Sequence, residues 1–123
     1  MRRTIFTFIM LCFVTLTLQA QDAWTAAGSS TIFGSHWDQK DTSNDLTDKG
    51  NGIWELTKTD CILEKNVKYE LKVLKNHGWA ESYPQTIANY VFMVEETGTY
   101  NVTIQFNETS HEVSVTTKKT GGA

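Results

Sequence analysis

VKYELKVLKNHGWAESYP, residues Val67 to Pro84, runs directly from a strand into an aromatic-rich loop, and the rest of the chain is organised around it. In its first half Val67, Tyr69, Leu71 and Val73 alternate with Lys68, Glu70 and Lys72. Side chains of a β-strand point to opposite faces in turn, so this spacing predicts a strand with one buried and one wet face. The second half breaks the rhythm with Asn76, His77 and Gly78, then sets Trp79 and Tyr83 among polar residues just before Pro84, the chain's single proline. Rings of that size are hard to bury in a turn. They are expected either to fold back as a lid over the core edge or to stand exposed as an aromatic platform.

Upstream, residues 1–20 begin with Arg2 and Arg3, continue as an apolar run from Ile5 to Leu18 relieved by threonines, and end on the small Ala20. That order is the signature of a secretory signal peptide, cleaved near Ala20. Cys12 follows Ile9, Met10 and Leu11, too bulky for a lipoprotein cleavage site, so no lipid anchor is expected. A membrane-spanning helix needs about 20 apolar residues, and no later stretch supplies one. The expected location is therefore secreted, periplasmic or cell-surface, without membrane insertion. Of 123 residues, 103 remain after such cleavage, the size of one domain with a single core. Cys61 is then the sole cysteine, so no intramolecular disulfide can form. A lone small thiol between Asp60 and Ile62 reads as core filler rather than nucleophile.

The mature portion reads as all-β. Strands are expected at Ala23–Ala27, Gly52–Thr57, Val67–Leu74, Tyr90–Val94, Thr99–Phe106 and Glu112–Thr117, with short pieces near Thr31–Phe33 and Cys61–Leu63. Turn signals separate them: Asp48 to Gly52, Thr97–Gly98, and Asn107 to Ser110. Tyr100, Val102, Ile104 and Phe106 alternate with Asn101, Thr103 and Gln105, and Val113 and Val115 continue the pattern across a hairpin. About seven short antiparallel strands in about 100 residues predict an immunoglobulin-like β-sandwich over residues 21–117, with a small closed barrel as the alternative. Residues 118–123, rich in lysine and glycine, read as a flexible tail.

Charge narrows the function. The formal net charge is −3, and loss of Arg2 and Arg3 takes it to −5. Nucleic acid needs clustered Lys and Arg, whereas the basic residues here are scattered among acidic neighbours, so it is not an expected partner. The run from Asp38 to Gly52, DQKDTSNDLTDKGNG, lacks the alternating oxygen ligands of an EF-hand and reads as a solvated loop. His36, His77 and His111 have no paired metal-binding spacing. Glu81, Glu95 and Glu96 show no nucleophile-and-base arrangement. Neither catalysis nor a cofactor or metal is expected; a small hydrolase would have only scattered carboxylates behind it.

Tryptophans remain. Trp54 alternates with Leu56 in a strand and Trp24 lies in the first strand, so both belong to the core or its edge. Trp37, in GSHWD, and Trp79, in HGWAE, sit in polar glycine-containing loops. An exposed indole can desolvate the C–H face of a sugar ring while polar side chains reach the hydroxyls at its rim. The residues thus point to a binding module. The competing reading is an immunoglobulin-like structural or protein-interaction domain with no sugar site, binding through an exposed strand edge.

The order of GSHWD (Gly34–Asp38), NGIWELT (Asn51–Thr57), VKYELKV (Val67–Val73), HGWAESYP (His77–Pro84), ETGTYNVTIQFN (Glu96–Asn107) and HEVSV (His111–Val115) resembles the starch-binding modules of pullulanases. More distantly it is similar to glucoamylase starch-binding modules, glycogen-binding domains and the outer-membrane starch-binding proteins of gut Bacteroidetes. The resemblance implies a non-catalytic sandwich that binds α-glucans, namely starch, glycogen or malto-oligosaccharides. It also implies work alongside a separate glycoside hydrolase or an outer-membrane glycan-uptake complex. In the glucoamylase type one site uses two tryptophans and a lysine, positions that fall here on Trp37, Lys72 and Trp79. The expected arrangement is a shallow groove flanked by the two indoles, with Lys72 between them and Tyr83 or His77 at its edge.

Overall fold

The structure, a computed structural model, describes residues 21–85 and 88–122; the expected signal peptide, residues 1–20, lies outside the described residues. In chain order the elements are β1 (Trp24–Gly28), a single helical turn α1 (Ser30–Phe33), a 3-10 turn (Thr42–Asn44), β2 (Thr47–Gly50), β3 (Ile53–Leu63), β4 (Tyr69–Lys75), β5 (Ser82–Tyr83), β6 (Tyr90–Phe92), β7 (Gly98–Asn107) and β8 (Glu112–Gly121). They make two antiparallel four-stranded sheets. In one, β4 pairs with β1 on one side and with β5 and then β6 on the other. The other runs β2-β3-β7-β8. The expected all-β sandwich is the observed fold, with eight strands among the described residues rather than about seven.

The inner faces follow from period-2 alternation. Tyr69, Leu71 and Val73 of β4 and Tyr100, Val102, Ile104 and Phe106 of β7 all enter one buried cluster, as the sequence predicts. Trp24 and Trp54 join them. Phe106 sits where the sheets meet, its ring centroid 4.4 Å from Trp24 and 5.5 Å from Tyr83, both of the opposite sheet. Cys61 is buried in the same cluster, and burial pushes its thiol pKa up. That environment suits a filler, because the thiolate is the nucleophilic form.

Several elements differ from the sequence reading. The pieces expected at Gly52–Thr57 and Cys61–Leu63 are one strand, β3, whose register against β7 shifts between Lys58 and Cys61. Asp60 there adopts φ +55°, the extra residue of a bulge. Thr31–Phe33 is helical rather than extended. Ile32 and Phe33 are adjacent and both buried, which a strand buried on one face cannot arrange; Gly34, at φ +78°, ends the turn by donating its N–H to Ser30 O at 2.8 Å. β2 was hidden in the Asp-rich run because its four residues are all exposed and carry no apolar alternation. Finally, β8 continues through Lys118 to Gly121, so these four residues of the segment read as a flexible tail are strand.

Because Phe106 is fully buried between the two sheets, Phe106→Ala should cost about 3–5 kcal/mol. Urea unfolding checks this, and a loss below about 1 kcal/mol would contradict its place in the core.

Candidate functional site

The face of β1 and β4 that points away from the core is the floor of the site. Alternation puts Thr25 and Ala27 of β1 on that face beside Leu74 and Lys72 of β4, their register partners. Thr25, Ala27 and Leu74 are nevertheless buried. Apolar and hydroxyl groups on an outward face lose solvent only when a loop lies over them, and two loops flank this one.

The first loop, residues 34–46, carries Trp37. Gly28 sets its start: a Cβ there would lie 2.1 Å from Glu70 O and 2.8 Å from Leu71 Cα, so only glycine lets β1 approach β4 this closely. The Gly28 carbonyl then accepts the Trp37 N–H at 3.0 Å, and Trp37 itself is left-handed at φ +52°. Asp41 braces the loop, accepting from Ser35 Oγ at 2.6 Å and from Ser43 N and Oγ at 3.0 and 2.5 Å. The bond from Ser35, followed by those from Ser43, holds the Asp41 carboxyl below the usual range. Asn44 is buried and donates to Phe33 O at 3.1 Å. The aspartates and asparagine thus serve as turn and capping groups.

The second loop, residues 76–81, carries Trp79. Asn76 and His77 are both left-handed, at φ +50° and +57°, a conformation asparagine and histidine adopt more readily than most residues. Asn76 is tied to the segment entering β1: its N–H donates to Ala23 O at 2.7 Å and its Oδ1 accepts from Ala23 N at 2.8 Å. Lys75 bridges Asp22 and Glu81 at 3.4 and 3.6 Å.

One contact joins the loops. His77 Nε2 lies 2.7 Å from Asp45 Oδ1, and Asp45 also bridges to Thr25 of β1. Trp37 is anchored at one end of β1 and the Trp79 loop at the other, so the indoles must reach along that strand to meet. They do meet. Their ring centroids are 6.2 Å apart at an interplanar angle of 41°, and Trp79 is 42% exposed.

The structure therefore brings Trp37 and Trp79 together and puts His77 beside them as a clasp between the loops. Lys72 shares the outward face but not the expected position. Indoles 6.2 Å apart leave no room for a side chain between them. Its Nζ instead donates to Pro84 O and to Ala88 O, the latter at 3.4 Å, holding the β5–β6 connection, and burial lowers its pKa. Tyr83 is a clear correction. Only 3% exposed, it points into the core, with its ring 4.2 Å from His111 and nearly parallel to it. Asp45, Gly28 and Asn76 were missed. Only Gly28, a glycine closing a strand, carried a readable signal.

The model of one protein family, the pullulanase X25 domain, matches residues 14–113, and so spans both indole loops. The chain belongs to the pullulanase X25 domain family. A search of the curated proteins found no match. The family is one of accessory modules of carbohydrate-binding type in pullulanases, which gives this X25 domain a carbohydrate-binding role at that coarse level.

In this X25 domain, Tyr83 also fixes the loop base electrostatically. Its hydroxyl donates to Glu81 Oε2 at 2.6 Å. That bond, with burial, pushes the phenol pKa up to about 12 from 10.0. A group whose folded value is raised stabilises fully below its unfolded value and loses that contribution as pH rises through the folded one. The thermal-stability advantage of the wild type over Tyr83→Phe should accordingly hold steady from neutral pH to pH 10.0 and shrink as pH approaches about 12; because the same bond lowers the Glu81 pKa, the advantage should also fall in acid as that carboxylate protonates. Thermal melts across that window check it, and a constant advantage would refute the bond.

Proposed function

We propose that this X25 domain is a non-catalytic module that binds α-glucans, whether starch, glycogen or malto-oligosaccharides, by stacking sugar rings on Trp37 and Trp79. The observation that carries the reading is the indole pair, 6.2 Å apart and tilted by 41°. Two rings at an angle form a bent apolar surface. An α-linked glucan curves and presents successive sugar faces at an angle, whereas a flat β-linked chain presents them along a plane; the bend suits the former. Covering about 80 Å² of apolar surface contributes on the order of 2 kcal/mol. After ordering costs, two rings and a few rim hydrogen bonds correspond to a dissociation constant of roughly micromolar to millimolar.

His77 and Asp45 hold the loops that carry the rings, and Lys72 lies on the same outward face, on the neighbouring strand β4. The leader-like first 20 residues support export, with cleavage near Ala20. Outside the cytoplasm the module would deliver polysaccharide to a separate glycoside hydrolase or an outer-membrane glycan-uptake complex.

Trp79→Ala should weaken binding of a malto-oligosaccharide by about 1–3 kcal/mol in isothermal titration while barely moving Tm, because a half-exposed ring contributes to the ligand and little to the core. Lys72→Ala should weaken binding less. Migration unretarded by amylose and amylopectin gels, or a large loss of stability with affinity intact, would contradict the proposal.

A further inference from the structure

Sheet edges expose unpaired N–H and C=O groups, and proteins blunt them with short strands, bulges, prolines, charges or covering loops. Most edges here are blunted. β2 has four residues, including Asp48 and Lys49, and a register shift against β3. β5 and β6 have two and three residues. β1 is partly covered through the Thr25–Asp45 bridge.

β8 is different. It runs ten residues at the end of its sheet, paired with β7 alone among the described residues. Its register shift lies late, where Thr99 pairs with Gly121 and Tyr100 with Lys119. From Val113 to Thr117 it reads Val-Ser-Val-Thr-Thr, with neither charge nor proline nor bulge. Its composition favours extended pairing.

We propose that β8 is a homodimer interface, in which two copies of the chain pair their β8 strands antiparallel about a two-fold axis at Val115. The register follows from two constraints. Val113 is buried and Val115 and Thr117 half-buried, whereas Glu112, Ser114, Thr116 and Lys118 are exposed. A one-residue slip would turn one strand's inward face toward solvent, so only registers pairing like faces are allowed. Among these, the axis at Val115 sets Glu112 opposite Lys118 of the second copy, Val113 opposite Thr117, and Ser114 opposite Thr116. Symmetry makes the ion pair twice. With the axis at Ser114 or Thr116, Glu112 faces a threonine; at Lys118, the two lysines repel. Glu112 is the only acidic residue of β8, so no other like-faced register offers charge complementarity.

The pairing joins two four-stranded sheets into one of eight strands. The overlap of seven residues spans about 24 Å, below the size of a standard interface, so association is weak and concentration-dependent. Its exposed ion pairs make it salt-sensitive. It does not depend on the sugar site.

Sedimentation equilibrium of the purified protein from about 10 µM to about 1 mM, the range of a small interface, should show a shift from one chain toward two. Glu112→Lys and Lys118→Glu, each checked for an unchanged Tm, should each weaken association at least about tenfold, and the double exchange should restore it to within about threefold. A single-chain mass at every concentration would overturn the proposal. So would association that the single reversals leave intact, or that the double exchange fails to restore.

Discussion

The antiparallel pairing of β1 with β4 is the constraint on which both fold and candidate site depend. Its register, Trp24 to Lys75 through Gly28 to Leu71, fixes what each face carries. Inward, Trp24, Ala26, Leu71 and Val73 join the core shared with the second sheet. Outward, Thr25, Ala27 and Leu74 are buried under loops, which makes this face a second and shallower packing layer. Without glycine at position 28 the strands could not approach at that end, and the carbonyl that seats Trp37 would move.

The two indole loops are held by polar contacts at the ends of that strand pair. Asp41 and Asn44 shape one loop, Asn76 and Lys75 the other, and the His77–Asp45 contact ties them together. Each hydrogen bond contributes about 1 kcal/mol net, modest beside the burial of Phe106 or Trp24. Their effect is mainly to fix where the rings sit, which limits the ordering cost that a ligand must meet.

What could be read in the sequence follows how local the determining physics is. The alternation of Tyr100, Val102, Ile104 and Phe106 is local, and β7 with its place in the core was legible from it. Trp37 and Trp79 were legible as a pair because their polar, glycine-containing surroundings offer neither a core face. Tyr83 was not, because a two-residue strand shows no period and its burial depends on Trp24, Phe106 and His111, each distant in sequence. Lys72 was placed on the correct face, but the carbonyls of Pro84 and Ala88 that take up its ammonium could not be anticipated. Asp45 and His77 stand 32 residues apart, and nothing in either neighbourhood announces the other. Lys118 to Gly121 looked like a tail from composition alone; pairing with β7 overrides composition there.

The central claim is that Trp37 and Trp79 act as one sugar platform while the other two tryptophans serve the core. The most direct measurement is a titration with maltoheptaose followed through the four indole N–H resonances in a ¹H–¹⁵N correlation spectrum. The account predicts that the Trp37 and Trp79 signals move together along one saturation curve while those of Trp24 and Trp54 stay in place. Four unmoved signals at millimolar sugar, or a response from Trp24 or Trp54 in place of the loop pair, would contradict it.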